Sequence, residues 1–142
     1  MNFYESIASG KVKKITINNS LIKSIYHTTL QDLSYLKKQK IDRFSARKCV
    51  SNYYDCLRSI IDAIALLEGY KIYDHETYAF FLEMKNEKKA AYLFDKFRRI
   101  RNKINYYGLS LSIEEAQETI ITIRKLTTYL INTYLERKNA IQ

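Results

Sequence analysis

The densest run of charged and polar side chains in the sequence is FDKFRRIRNKINYYG, residues 94 to 108. It places five cations within residues 96 to 103 and then continues Asn-Tyr-Tyr-Gly. Guanidinium groups bind phosphate through paired N–H donors, amide side chains bind oxygens or base edges, and tyrosine rings stack on bases. This combination of residue types suits the binding of a nucleotide or of RNA.

An apolar period of three and four residues runs beneath these polar side chains, through Leu93, Phe97, Ile100, Ile104 and Tyr107. If that stripe faces the core of a helix over residues 89 to 107, the intervening polar residues share one flank. The candidate binding residues on this flank are Arg98, Arg101, Asn102, Asn105 and Tyr106.

A second interpretation of the same stretch is an ordinary solvated helix face. Cations near the end of a helix interact favourably with its negative terminus, and runs of charge usually cover the surface. Asn102 and Asn105 favour a binding role, because asparagine costs roughly 0.5 kcal/mol more than alanine or glutamate inside a helix. Physical arguments alone leave both interpretations open.

Composition predicts one helical domain spanning residues 1 to 142. The chain has 46% apolar residues, enough to bury a sizeable core without disulfides or metals. Proline is absent and glycine occurs three times, so the sequence offers little to form tight β-turns.

Apolar periodicity predicts four long helices over residues 20–38, 45–68, 89–107 and 112–138, and a short helix after Asp74. The last helix opens with Ser112 and Glu115, which are spaced to form a capping box. We expect an all-α fold in which the helices pack as an antiparallel up-and-down bundle. The first fifteen or so residues are open between a short helix and a polar crossover.

The net charge of +9 favours an acidic partner such as nucleic acid, a nucleotide or an anionic membrane surface. The N-terminus does not resemble a signal peptide, and no run is long and apolar enough for a membrane span. We therefore expect a cytoplasmic protein that is not embedded in a membrane.

Cysteine and histidine residues give no sign of a metal site, and no cofactor is expected. Cys49 and Cys56 lie about 10 Å apart along one predicted helix, too far for a disulfide, and are expected to be reduced and buried. His27 and His75 stand far apart in the chain. His75 follows a predicted N-cap, Asp74, and is interpreted as a surface or capping residue.

The stretch SNYYDCLRSIIDAIALLEGYKIYDH, followed by FDKFRRIRNKINYYG, resembles the HEPN superfamily of small helical bundles from prokaryotic toxin–antitoxin and RNA-processing systems. The resemblance covers roughly residues 46 to 108. It rests on four elements in order, namely the pair Tyr53-Tyr54, the run Gly69-Tyr70-Lys71, His75, and the pair Arg101-Asn102.

The resemblance implies a homodimer whose paired motif helices form a basic cleft that binds RNA or a nucleotide. It also implies that the partner is a minimal nucleotidyltransferase, as for some members of the superfamily. Ribonuclease members carry an arginine followed, after four to six residues, by a histidine. Arg101 matches the arginine, but the histidine positions hold Tyr106, Tyr107 and Gly108.

The missing histidine bears on catalysis. A tyrosine with a pKa near 10 is only about 0.1% deprotonated at neutral pH, and loss of a positioned acid or base typically costs about 10²- to 10⁴-fold in rate. Arg101 and Tyr106 are therefore the only catalytic candidates. We prefer a non-enzymatic HEPN-like binding module, with a metal-independent toxin ribonuclease or a purely structural, protein-interaction bundle as alternatives.

Overall fold

The computed structural model describes residues 1–136, which are mostly helical, so the predicted all-α class is confirmed. The helices are α1 (Phe3–Ala8), α2 (Asn19–Lys37), α3 (Ala46–Leu67), α4 (Thr77–Met84), α5 (Lys88–Tyr107) and α6 (Ile113–Leu130). Two short strands, β1 (Val12–Lys14) and β2 (Tyr70–Ile72), and a π-helical turn (Ile131–Leu135) complete the order.

Helix α3 lies at the centre of the fold. It carries two adjoining apolar stripes, and both are buried. Residues 60–66 are buried at every position, and α3 packs against α2, α4, α5, α6 and β2. Its two cysteines, Cys49 and Cys56, are buried and not disulfide-bonded, and burial raises the pKa of the Cys56 thiol to about 12.

The N-terminal segment forms helix α1 and then a strand, which sequence periodicity does not reveal. Strand β1 pairs antiparallel with β2, so that Val12 lies opposite Ile72 and both side chains are buried. Each strand spans three residues, too few for an alternating pattern to stand out. The ladder fixes the chain that leaves α3 and leads towards α4.

Both ends of the α5–α6 connection are capped, and the predicted capping box is confirmed. Gly108 closes α5 in the left-handed conformation, with φ of +64°. At the start of α6, the Glu115 N–H donates to Ser112 Oγ at 3.0 Å, and the Ser112 N–H donates to Glu115 Oε1 at 3.3 Å. The α-helix ends at Leu130, earlier than predicted, and continues as the π-helical turn. The predicted end at Lys138 lies outside the described residues.

The buried stripe of α5 differs from the predicted one at its end. Tyr107 is 83% exposed, whereas Phe94, which the prediction omitted, is fully buried. Leu109 and Leu111, from the loop after α5, pack against the core instead. The last turn of α5 therefore leaves its tyrosine side chains, Tyr106 and Tyr107, in solvent.

Replacing a fully buried residue of α3 tests whether this helix dominates stability. Ile60→Ala should lower the free energy of unfolding by about 2 to 5 kcal/mol, because the substitution removes buried apolar surface and leaves a cavity. The control Leu21→Ala, at an exposed site on α2, should cost about 0.5 kcal/mol or less. Urea unfolding followed by circular dichroism gives both values, and equal losses would contradict a core centred on α3.

Candidate nucleotide-binding site

Helix α5 carries the predicted binding residues on one flank, but at different depths. Phe97 and Ile104 are buried against the core. The side chain of Arg98 is 16% exposed and that of Arg101 is 20% exposed, whereas Tyr106 is 70% exposed. The flank therefore divides into an inner pair of arginines and an outer, solvated end.

Arg98 is neutralised within its own helix. Its Nε donates to Asp95 Oδ1 at 2.9 Å, and its Nη2 lies 2.9 Å from the same oxygen. The other oxygen, Asp95 Oδ2, lies 3.0 Å from Nε of Arg99. One carboxylate thus holds two guanidinium groups, which reduces the charge that Arg98 offers to a ligand.

Arg101 turns instead towards α3. Its guanidinium carbon lies 5.6 Å from the centre of the Tyr54 ring, a cation–π arrangement. Its Nη2 is 3.9 Å from Asp55 Oδ1, which is longer than a hydrogen bond. The Arg101 Nε is buried and has no hydrogen-bond partner among residues 1–136.

Tyr54 links Arg101 to a histidine from a different part of the chain. The Tyr54 hydroxyl lies 3.1 Å from His75 Nδ1, and the two rings are stacked at 6.1 Å. The His75 ring also meets the edge of Tyr78 at 6.2 Å. The interpretation of His75 as a surface or capping residue is therefore wrong, because the loop before α4 turns this side chain onto Tyr54. Helix α4 itself begins at Thr77, later than predicted.

Arg58 completes this group of side chains. It follows Tyr54 by one turn of α3, and its Nε, like that of Arg101, is buried without a hydrogen-bond partner in the described chain. Burial, then the positive charges of Arg58 and Arg101, lower the pKa of His75 below its ordinary value. We refer to Arg58, His75 and Arg101, arranged around Tyr54, as the Arg–His cluster.

A second polar group, centred on the buried carboxylate of Asp62, lies next to the cluster. Asp62 accepts a hydrogen bond from the Tyr78 hydroxyl at 3.2 Å and one from Lys71 Nζ at 3.3 Å. Burial and the Asp62 carboxylate raise the pKa of Tyr78 to about 12. The negative charge of Asp62 also acts on Arg58 of the Arg–His cluster and helps to raise the pKa of that guanidinium group.

The remaining predicted residues stay outside the cluster. The Ser51 hydroxyl donates to Asn105 Oδ1 at 3.5 Å, and the Asn105 side chain is exposed. Asn102 is half-buried, and Tyr106 lies at the solvated end of α5. The structure therefore brings only Arg101, of the five predicted residues, together with His75.

Sequence reasoning missed Tyr54 and Arg58 as site residues. Tyr54 fits the apolar stripe of α3, and nothing in its spacing distinguishes it from a core residue. Arg58 could have been found from the sequence, because it is a cation that lies beside two adjoining apolar stripes.

No protein-family model, curated protein or solved structure matches the chain. Within residues 1–136, no group of three or more histidine, cysteine, aspartate or glutamate side chains is placed to hold a metal ion. None of the helices in that part of the chain is long and apolar enough to cross a membrane.

The lowered pKa of His75 predicts a pH dependence of stability. The unfolded chain, with a histidine pKa of 6.5, binds more protons than the folded chain between the folded pKa and 6.5. The free energy of unfolding should therefore rise with pH through that window and level off above it. The carboxylates of Asp55 and Asp74 oppose the shift but do not reverse it.

His75→Gln removes this titration, so its stability should depend less on pH below 6.5 than that of the wild type. Urea unfolding over a pH series measures the slope, and an NMR titration of the imidazole measures the pKa directly. A His75 pKa above 6.5 would contradict the arrangement of charges described here.

Proposed function

We propose that this chain is a HEPN-like module that binds RNA or a nucleotide. The observation that carries the proposal is the state of Arg101, which is held over Tyr54 with a buried Nε that no residue in the described part of the chain satisfies. A buried donor left unsatisfied costs about 1 to 3 kcal/mol, so its retention favours a ligand that supplies an acceptor. A phosphate oxygen is such an acceptor.

Charge supports an anionic ligand. The chain carries a net charge of +9, so long-range attraction brings nucleic acid to its surface. On α5, Arg98, Asn102, Asn105 and Tyr106 lie beside or beyond Arg101 and provide further phosphate, base-edge and stacking contacts.

The proposal includes the arrangement and assembly that the HEPN resemblance implies. The four long helices α2, α3, α5 and α6 would form an antiparallel up-and-down bundle, in keeping with the packing of α3 against the other three. Two copies would pair through α5 and α6, whose exposed large side chains include Tyr92, Tyr106, Ile121 and Tyr129. A nucleotidyltransferase partner and a cytoplasmic location rest on the sequence interpretation alone.

A metal-independent ribonuclease is the second candidate, favoured by the position of His75. The histidine absent from α5 after Arg101 has a counterpart in space, because His75 and Arg101 both contact Tyr54. An arginine that holds phosphate and a histidine that transfers protons are the groups that RNA cleavage through the 2′-hydroxyl requires.

Removal of the Arg101 guanidinium tests the binding proposal. Arg101→Ala should weaken RNA or nucleotide binding by roughly 1 to 3 kcal/mol and reduce the slope of log affinity against log salt by about one. The control Arg99→Ala removes a side chain that is 71% exposed on the same helix and should change affinity far less. Fluorescence anisotropy at several salt concentrations gives both quantities.

Unchanged affinity in a folded Arg101→Ala variant would reduce the α5 stretch to a solvated helix face. Tyr106→Phe separates binding from chemistry, because it keeps the ring and removes the hydroxyl. We expect this variant to bind like the wild type. If the wild type cleaves RNA and Tyr106→Phe does not, tyrosine acts in catalysis and the non-enzymatic interpretation is wrong.

Sedimentation and an interface substitution test the proposed dimer. Sedimentation velocity at micromolar concentration should show a dimer, and a charged substitution in the proposed interface, Ile121→Glu, should dissociate it, because the new carboxylate would lie at an apolar contact. A wild-type monomer would remove the paired cleft from the proposal and leave only sites that one chain completes.

A further inference from the structure

We propose that the Arg–His cluster is a phosphate site complete within one chain, and that it takes a terminal phosphate group, that is, a phosphate monoester. This inference rests on the proposed function and names the part of the nucleotide or RNA that the site recognises. It differs from a cleft shared between subunits, because all three residues belong to the same chain. Arg58 lies on α3, His75 in the loop that precedes α4, and Arg101 on α5.

Within residues 1–136, most cations near the cluster have a close carboxylate partner, whereas the guanidinium groups of Arg58 and Arg101 do not. The cations around the cluster are paired, Arg98 and Arg99 with Asp95, and Lys71 with Asp62. Arg58 has no carboxylate within salt-bridge distance in the part of the chain that the structure describes, and the carboxylate nearest to Arg101 is 3.9 Å away. Asp55 and Asp62 still act on Arg58 over a longer range, but among the described residues neither guanidinium group has a close carboxylate of its own beside the half-buried imidazole.

Two N–H donors of the cluster are buried and unsatisfied in the described chain. The Nε atoms of both Arg58 and Arg101 are buried and lack hydrogen-bond partners within residues 1–136. These are the only buried side-chain nitrogen or oxygen atoms in that part of the chain for which this holds. Their occurrence on two residues of one cluster, rather than at scattered positions, indicates a missing acceptor that both arginines share.

The hydrogen bond between Tyr54 and His75 fixes which imidazole nitrogen faces a ligand. Tyr54 is fully buried, and in the described chain its hydroxyl has one partner, His75 Nδ1. A buried hydroxyl proton needs an acceptor, so the Tyr54 O–H donates to Nδ1. The neutral imidazole then carries its proton on Nε2, which is the nitrogen left to contact a ligand.

The cluster therefore offers donors and no acceptor, namely two guanidinium groups and one imidazole N–H. This set discriminates against neutral ligands, which would leave the charges unpaired. A phosphate monoester, with two negative charges near neutral pH, matches the two guanidinium charges better than a phosphodiester with one. Asp55, whose side chain is 46% exposed, lies at the edge of the cluster, where water screens its carboxylate.

Small phosphate esters provide the most direct probes. The protein contains two histidines, and His27 is exposed on α2, so its imidazole serves as an internal reference. Methyl phosphate should shift the ¹⁵N and ring-proton signals of His75 saturably and leave those of His27 unchanged. Dimethyl phosphate, a diester, should bind His75 at least about tenfold more weakly, because half of the anionic charge is absent.

Matched variants assign the effect to the cluster. Arg58→Gln should weaken methyl phosphate binding by roughly 10- to 100-fold, as expected for the loss of a charge-assisted hydrogen bond, whereas Arg99→Gln should bind like the wild type. If Arg58→Gln does not fold, as judged by circular dichroism, His75→Gln replaces it, with binding then followed by calorimetry and the same loss expected.

RNA with and without a terminal phosphate distinguishes the failure of this inference from the failure of the proposed function. A 5′- or 3′-phosphorylated oligonucleotide should bind more tightly than its hydroxyl-ended equivalent, and Arg58→Gln should remove the difference. Equal, Arg101-dependent binding of both oligonucleotides would overturn the terminal-phosphate site and leave the RNA-binding module standing. Absence of binding by methyl phosphate and by every oligonucleotide would overturn both.

Discussion

The burial of α3 on two adjoining faces is the constraint on which the rest of the structure depends. A helix with apolar stripes so wide must be enclosed, and α2, α4, α5, α6 and β2 all contact it. Enclosure also removes water from the polar groups on the buried faces of α3. Tyr54, Arg58 and Asp62 must therefore find partners within the protein or on a ligand.

Those three residues meet this demand in different ways. Asp62 is satisfied by Lys71 and Tyr78, and the Tyr54 hydroxyl by His75. The Nε of Arg58 has no hydrogen-bond partner in the described chain, and Arg101 approaches the same place from α5 with its Nε equally unsatisfied. The burial that stabilises the fold thus brings together two guanidinium groups that lack close carboxylate partners within residues 1–136, which is the physical basis of the proposed anion site.

Periodicity in the sequence was sufficient to predict helices α2 to α6. It identified helix α3 and the capping box at Ser112, because these features depend on residues three and four apart. It missed the pairing of β1 with β2, since that contact joins segments distant in sequence. For the same reason the sequence predicted Arg101 as a binding residue but did not place Arg58 or His75 beside it, because the approach of His75 to Tyr54 is set by tertiary packing.

A double-mutant cycle tests most directly whether Arg58 and Arg101 serve one ligand. Affinity for a 5′-phosphorylated oligonucleotide would be measured for Arg58→Gln, Arg101→Gln and the double variant. Residues that share a phosphate should be coupled, so the loss in the double variant should differ from the sum of the single losses by about 0.5 to 3 kcal/mol. Losses that add to within about 0.5 kcal/mol would mean that the two arginines act independently and would contradict a single site.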